Sequence, residues 1–204
     1  MVWSCLVSIL PGMAQTEKLT DYVNPFVGTD GYGNVYPGAQ IPFGGIQISP
    51  DTDSRFYDAA SGYKYNHLTL MGFSLTHLSG TGIPDLGDFL FIPGTGEMKL
   101  EPGTHEDPDQ GYRSRYSHDK EWASPNYYAV ELADYGVKAE MTSGVRSGMF
   151  RFTYPESDNA FIMIDMNHTL WQSCEWSNLR MINDSTITGY KLVKGWGPER
   201  HVYF

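Results

Sequence analysis

From Tyr127 onward the chain alternates. Tyr128, Val130 and Leu132 share one side, Tyr135-Gly136 reads as a turn, and Val137, Ala139 and Met141 return on the same period of two. Successive side chains of a strand point to opposite faces of a sheet, so this period excludes the 3.6-residue apolar stripe of a packed helix. Met149 to Tyr154, Ala160 to Met166 and Ile187 to Val193 read as further strands, at the spacing of about 8 to 15 residues that an antiparallel sandwich produces. Aromatics at 14%, with 22 Gly and 12 Pro, suit short strands joined by marked turns. The expected fold is all-β, an antiparallel β-sandwich.

The first half carries weaker signals. Asp21 to Thr29 reads as a strand entering a glycine-rich loop, Gly28 to Asn34, and Ile41 to Ile48 as a return strand that stops at Ser49-Pro50-Asp51-Thr52-Asp53. Phe89-Leu90-Phe91-Ile92 reads as a buried strand ended by Pro93-Gly94. Gly103 to Arg115 is polar and turn-rich, with nothing that looks packed, and Arg200 to Phe204 reads as a strand that has just begun. The chain is therefore expected to continue downstream.

At 204 residues there is enough chain for one sizeable domain. Acidic residues outnumber basic ones 24 to 14, giving a net charge of −10, which repels phosphate backbones and makes nucleic acid an unsuitable partner. No apolar run reaches the roughly 20 residues that span a bilayer. Val2 to Leu10 is a short apolar stretch, followed by the small residues of Gly12-Met13-Ala14. Residues 1–14 thus read as a truncated export signal, with 15–204 as the domain and a periplasmic or extracellular destination. Cleavage after Ala14 would remove Cys5 and leave Cys174 without a disulfide partner.

Chemistry concentrates between Met71 and Asp88, a polar loop held between two apolar segments. His77, Ser79 and Thr81, then Asp85 and Asp88, surround Gly80 and Gly82, which let backbone amides approach a ligand. Ser79 lacks the preceding glycine of a nucleophile elbow, since position 77 is histidine. Gly80-Thr81-Gly82 leads into Pro84 and a strand rather than the helix of a dinucleotide fingerprint. The histidines at 67, 77, 105, 118, 168 and 201 show no pair at short zinc spacing. Asp51-Thr52-Asp53 and Asp107-Pro108-Asp109 offer calcium-type oxygens but lack the EF-hand continuation and read as turn residues. Asp85 and Asp88 read either as ligand carboxylates or as turn caps, and His77 either as a ligand group or as a hydrogen-bonded structural residue. Pyranose faces pack on flat rings, and Tyr32, Tyr36, Tyr63, Trp171 and Trp196 all lie beside turn signals. Together they make a sugar site plausible.

Several blocks resemble glycoside hydrolase family 92: Tyr22-Val23-Asn24-Pro25-Phe26-Val27-Gly28-Thr29, Tyr36-Pro37-Gly38-Ala39, Pro42-Phe43-Gly44, Ser49-Pro50-Asp51-Thr52, Ser61-Gly62-Tyr63, and above all Gly72 to Gly82 closing on Asp85-Leu86-Gly87-Asp88. The resemblance runs from about Asp21 to the end. It implies the N-terminal sandwich, of the supersandwich type, of an exported, calcium-dependent, inverting exo-α-mannosidase. The second domain would be an (α/α)6 barrel that carries the acid and base carboxylates and most calcium ligands. It further implies that a base-activated water attacks the anomeric carbon of a terminal mannose and displaces the rest of the glycan in one step, releasing one mannose.

No catalytic residue and no metal ligand is carried over to this chain. His77, Ser79, Gly80, Thr81, Gly82, Asp85 and Tyr63 are the expected substrate-binding residues, facing the barrel across the domain interface. Asp58-Ala59-Ala60 stands where some α-1,2-specific members place a tryptophan, which leaves the linkage open. The alternative reading is a free-standing carbohydrate-binding sandwich or surface adhesin.

Overall fold

Every strand pairing in the computed structural model is antiparallel. The structure describes residues 17–55 and 57–204, so the export signal expected over 1–14 lies outside the described residues. Among the described residues the regular structure is strands and three short 3-10 turns.

One sheet has the order β1 (Ser49–Asp51), β3 (Gly72–Ser74), β4 (Leu90–Thr95), β10 (Ala160–Asp165). A second is a meander of β6 (Glu121–Ser124), β7 (Tyr127–Leu132), β8 (Val137–Ser143) and β9 (Gly148–Thr153). A third joins β11 (Ser173–Asn183), β12 (Thr186–Lys194) and β13 (Arg200–Tyr203), and a ribbon pairs β2 (Thr69–Leu70) with β5 (Ser114–Arg115).

The alternation after Tyr127 yields the meander. Gly136 turns β7 into β8 at φ 63, and Asn126 turns β6 into β7 at φ 60. The Asn126 carboxamide then ties that turn to β8, accepting from the Ser143 amide (3.0 Å) and donating to the Ser143 carbonyl (2.8 Å). Tyr128, Val130, Val137, Ala139 and Met141 form the centre of the main core with Phe73 of the first sheet. Phe73 lies opposite Phe91 in the ladder, and both rings reach Phe150 of β9, at 6.5 and 5.1 Å between centroids. These contacts make the two four-stranded sheets the layers of the sandwich. Leu90 and Ile92, out of phase with Phe91, pack on the other face with Met71 and Tyr112.

Four sequence expectations are corrected. Residues 21–29 form no strand: Leu19–Tyr22 is a 3-10 turn, and the Asn24 side chain accepts the Phe26 amide at 3.0 Å, which curls the chain. The segment's apolar residues Leu19, Tyr22, Val23 and Val27 are exposed. Strand β4 does not stop at Pro93 but runs to Thr95. Beyond Phe91 it pairs with β10 alone, a one-sided ladder in which a residue without an N–H is tolerated. Gly94 makes room for the Phe161 ring, 2.5 Å from where a Cβ would stand. Gly103 to Arg115 is packed after all: Tyr112 is buried against Met71, and its hydroxyl donates to Asp165 at 3.0 Å. Strands β1, β5, β6 and β11 were not anticipated, and Ile41 to Ile48, expected as a return strand, contributes a single bridge, Ala39 to Ile48.

Candidate functional site

The loop between β3 and β4 leaves the first sheet through a narrow neck. Leu75 and Gly87 amides donate to the Asp88 and Thr76 carbonyls (2.9 and 2.8 Å), while the Thr76 hydroxyl donates to Asp88 Oδ2 at 2.8 Å and accepts the Asp88 amide at 3.1 Å. The Thr76 hydroxyl thereby serves both the side chain and the backbone amide of Asp88. A neck closed this way fixes where the tip projects.

His77 turns inward from the neck. Its Nδ1–H donates to the Gln47 carbonyl (2.7 Å), and its Nε2 meets Asp51 Oδ1 at 2.7 Å. The Ser74 hydroxyl also reaches Nε2, at 3.1 Å. Asp51 Oδ2 receives His168 Nε2, also at 2.7 Å. Burial works against the Asp51 charge, but the charges and hydrogen bonds of His77 and His168 outweigh it and hold the carboxyl well below the usual range. Tyr36 packs its ring on His77, centroids 5.0 Å apart.

The returning arm is anchored to the third sheet. Asp85 accepts the Leu86 amide (2.6 Å) and the Trp196 amide (3.0 Å), with Arg200 at 3.5 Å. Asp88 accepts from the Arg200 guanidinium and faces the buried Lys191 ammonium at 3.5 Å. Lys191 also donates to the His168 carbonyl at 2.5 Å, and burial draws its pKa below the ordinary lysine value despite Asp88. Gln172 donates to the Pro84 carbonyl at 3.0 Å, and the Leu170 amide to that of Leu86 at 3.0 Å. Leu86 (φ 75), Phe89 (φ 57) and Trp171 (φ 80) all adopt left-handed backbone here. Non-glycine residues in that region cost about 1–3 kcal/mol each and gather at functional sites.

The seven expected site residues divide. Ser79, Gly80, Thr81 and Gly82 form the outward tip, and the Gly80 amide donates to the Asn34 carbonyl at 2.7 Å, bringing in the glycine-rich turn of 28–34. Exposed Tyr32, Trp171 and Trp196 border the same region. His77 and Asp85 lie beneath, buried, as its supports. Tyr63 is apart from them: buried, it donates its hydroxyl to Glu121 at 2.9 Å, beside Tyr128 donating at 2.5 Å. Burial, then Tyr116 and Glu121, pushes its phenol far up, so it stays a donor. Sequence reasoning did not pick out His168, Lys191 and Arg200, and it read Asp51 as a turn residue.

The tip therefore presents hydroxyls, amides and flat rings, which is equipment for binding a polyol. The carboxylates of Asp51, Asp85 and Asp88 are each engaged by cationic or N–H partners. Among the described residues, the side chains of His, Cys, Asp and Glu gathered closely enough to hold a metal are Asp53, His67 and His105. Two imidazoles do not suit calcium, which takes oxygen ligands.

This arrangement is an all-antiparallel β-sandwich domain with a clamped, strained rim loop between aromatics. Residues 22–204 match the model of the glycosyl hydrolase family 92 N-terminal domain. The chain belongs to that family. It is 30% identical over 139 residues to an "uncharacterized secreted glycosidase" of Arthroderma benhamiae, covering 67% of this chain and 17% of that protein. The solved structure of the family 92 glycosyl hydrolase ccman5 is similar at a TM-score of 0.74 and 28% identity, over 90% of this chain and 25% of that one. A family 92 inverting mannosidase from Bacteroides thetaiotaomicron is similar at 0.66 and 25% identity, over 86% and 23%. The chain thus spans a quarter or less of the length of these relatives.

Proposed function

We propose that this chain is the sheet-built part of an exported exo-α-mannosidase that inverts the anomeric centre and releases terminal mannose from glycans. The observation that carries this reading is the rim loop itself. Its tip at Ser79 to Gly82 is outward and polar, and its neck is locked by Thr76 and Asp88. Family membership and the inverting mannosidase among the similar structures support the substrate class, and the secreted relative supports export.

In this reading the tip hydroxyls and amides bind mannose hydroxyls at the edge of the ring while the neighbouring tryptophans pack on its face. The acid and base come from a second domain that closes over the tip, as do the oxygen ligands for calcium. This chain's contribution is orientation: an ion-paired base of Asp51, His77, Asp85 and Asp88 keeps the tip in one geometry.

The test is proton NMR of an α-mannoside during hydrolysis by the intact protein. Mannose released first as the β-anomer supports the reading. Release as the α-anomer, or no hydrolysis of any α-mannoside, overturns it.

A further inference from the structure

Away from the rim loop, two histidines converge on a carboxylate. His67 lies just before β2, and His105 lies in the 103–113 segment that wraps the ribbon. Their rings are 4.1 Å apart, and His67, His105 and Asp53 each offer a ligand atom, all within 4.8 Å of one another.

Each ring is held at Nδ1 by a threonine hydroxyl. The Thr52 hydroxyl accepts the Lys64 amide at 2.9 Å and sends its own proton to the Gly62 carbonyl at 3.4 Å. His67 Nδ1 lies 3.0 Å from that hydroxyl oxygen. Its Nε2 faces Asp58 Oδ2, 3.7 Å away. His105 repeats the pattern: Nδ1 meets the Thr69 hydroxyl at 2.8 Å, and Nε2 is buried without a hydrogen-bond partner although Asp53 Oδ2 is 3.3 Å away. Both Nε2 atoms thus face carboxylate oxygens, Asp53 being shared with Arg55 and Asp58 with Arg55 and Lys64.

We infer that Asp53, His67 and His105 form a binding site for a first-row divalent metal ion of the zinc type. Two imidazoles and one carboxylate are a zinc set and a poor calcium set. Threonine hydroxyls that take the far nitrogen of each ring are the outer partners such ligands use. Zinc at about 2.0–2.1 Å from each ligand needs ligand atoms about 3.4 Å apart. The Asp53–His105 edge is already there, and the remaining edges close by a contraction on the order of 1 Å. Arg55 now donates to Asp53 Oδ2 at 2.6 Å. Its side chain is 59% exposed and also reaches Asp58 at 3.0 Å, so it can yield Asp53 to a metal. The site opens to a 180 Å³ cavity lined by Asp53, Arg55, Met71, Gly103, His105 and Arg113 among others. It is independent of the mannosidase reading.

The experiment is calorimetric titration of Zn²⁺ into the intact protein in calcium-containing buffer, with diffraction at the zinc absorption edge. One equivalent should bind, with an anomalous peak between Asp53, His67 and His105. Thr69→Val, which keeps all three ligands, should weaken binding by about 10- to 100-fold. His105→Gln should weaken it at least as much, and His201→Gln, at an exposed position, should leave it unchanged. Absence of a stoichiometric site, an anomalous peak elsewhere, or wild-type affinity in both Thr69→Val and His105→Gln would overturn the inference. The anomalous map decides if a variant does not fold.

Discussion

Asp51 and His77 meet at 2.7 Å in a fully enclosed pair, their side chains both inaccessible to water, and this pair joins the first strand to the rim loop. A buried pair of this kind is hard to lose one partner at a time, because the survivor keeps its desolvation cost without its partner. His168 on the second carboxylate oxygen carries the same carboxylate on toward the third sheet. One aspartate therefore sets the position of three separate segments.

Replacing Asp51 with Asn leaves two histidine N–H groups facing a neutral amide. The expected loss of stability is about 3–5 kcal/mol, measured by urea denaturation of the intact protein. A loss under about 1 kcal/mol would mean that the pair is not the anchor described here.

Two left-handed glycines separate backbone strain from crowding. Gly80 has φ 77 and open space, whereas Gly62 has φ 88 and would place a Cβ 2.2 Å from Asp51 Oδ1. Gly80→Ala is expected to cost about 1 kcal/mol from the backbone alone. Gly62→Ala should cost at least twice as much and shift the Asp51 side chain, which a paired thermal-unfolding comparison reads directly.

In the core, Phe73 touches both partner rings of β9. Phe73→Ala should destabilise by about 3–5 kcal/mol through lost burial and the cavity left behind. Phe73→Leu should recover more than half of that in the same denaturation assay, since most of the volume returns.

Glu140 gives the clearest acid dependence. It accepts two hydrogen bonds from Arg151 across the β8–β9 ladder (2.8 and 2.6 Å) and one from Tyr127 (2.7 Å). Arg151 first, then Tyr127, hold its carboxyl down at about 2 against the ordinary 4.5. The unfolded chain therefore binds the proton first, so this contribution is complete above about pH 4.5 and disappears as the pH falls through about 2. Wild type should exceed Glu140→Gln in stability at pH 6, with the gap closing between those values. A gap that stays constant down to pH 2 would contradict the assignment.

Much of the second half of the fold was legible because period-two alternation is a local signal, which Tyr127 to Met166 carries cleanly, whereas β11 (Ser173–Asn183) does not show it. The first half was not, for a physical reason: of its apolar run from Leu19 to Val27, Leu19, Tyr22, Val23 and Val27 remain exposed and Phe26 alone packs against the core, so hydrophobicity there does not report burial. Tyr112 was hidden in the opposite way, as one core ring inside a polar segment. Of the site, the tip Ser79 to Gly82 was readable from glycines and hydroxyls packed into a few positions. Its supports were not, since Asp51 and His168 lie 117 residues apart and Asp85 and Arg200 lie 115 apart. The His67–His105 pair escaped the spacing test because short zinc spacings describe ligands on one element, and these come from two.

The central claim is that the tip binds sugar while its buried base only positions it. Steady-state hydrolysis of an α-mannoside by the intact protein carrying Ser79→Ala and Thr81→Val tests this most directly. The hydroxyls of exposed Ser79 and half-buried Thr81, worth about 0.5–1.5 kcal/mol each, should lower kcat/KM by roughly tenfold or more, while the melting temperature falls by no more than the lost Thr81–Ile83 hydrogen bond accounts for. An unaltered kcat/KM would place the sugar elsewhere.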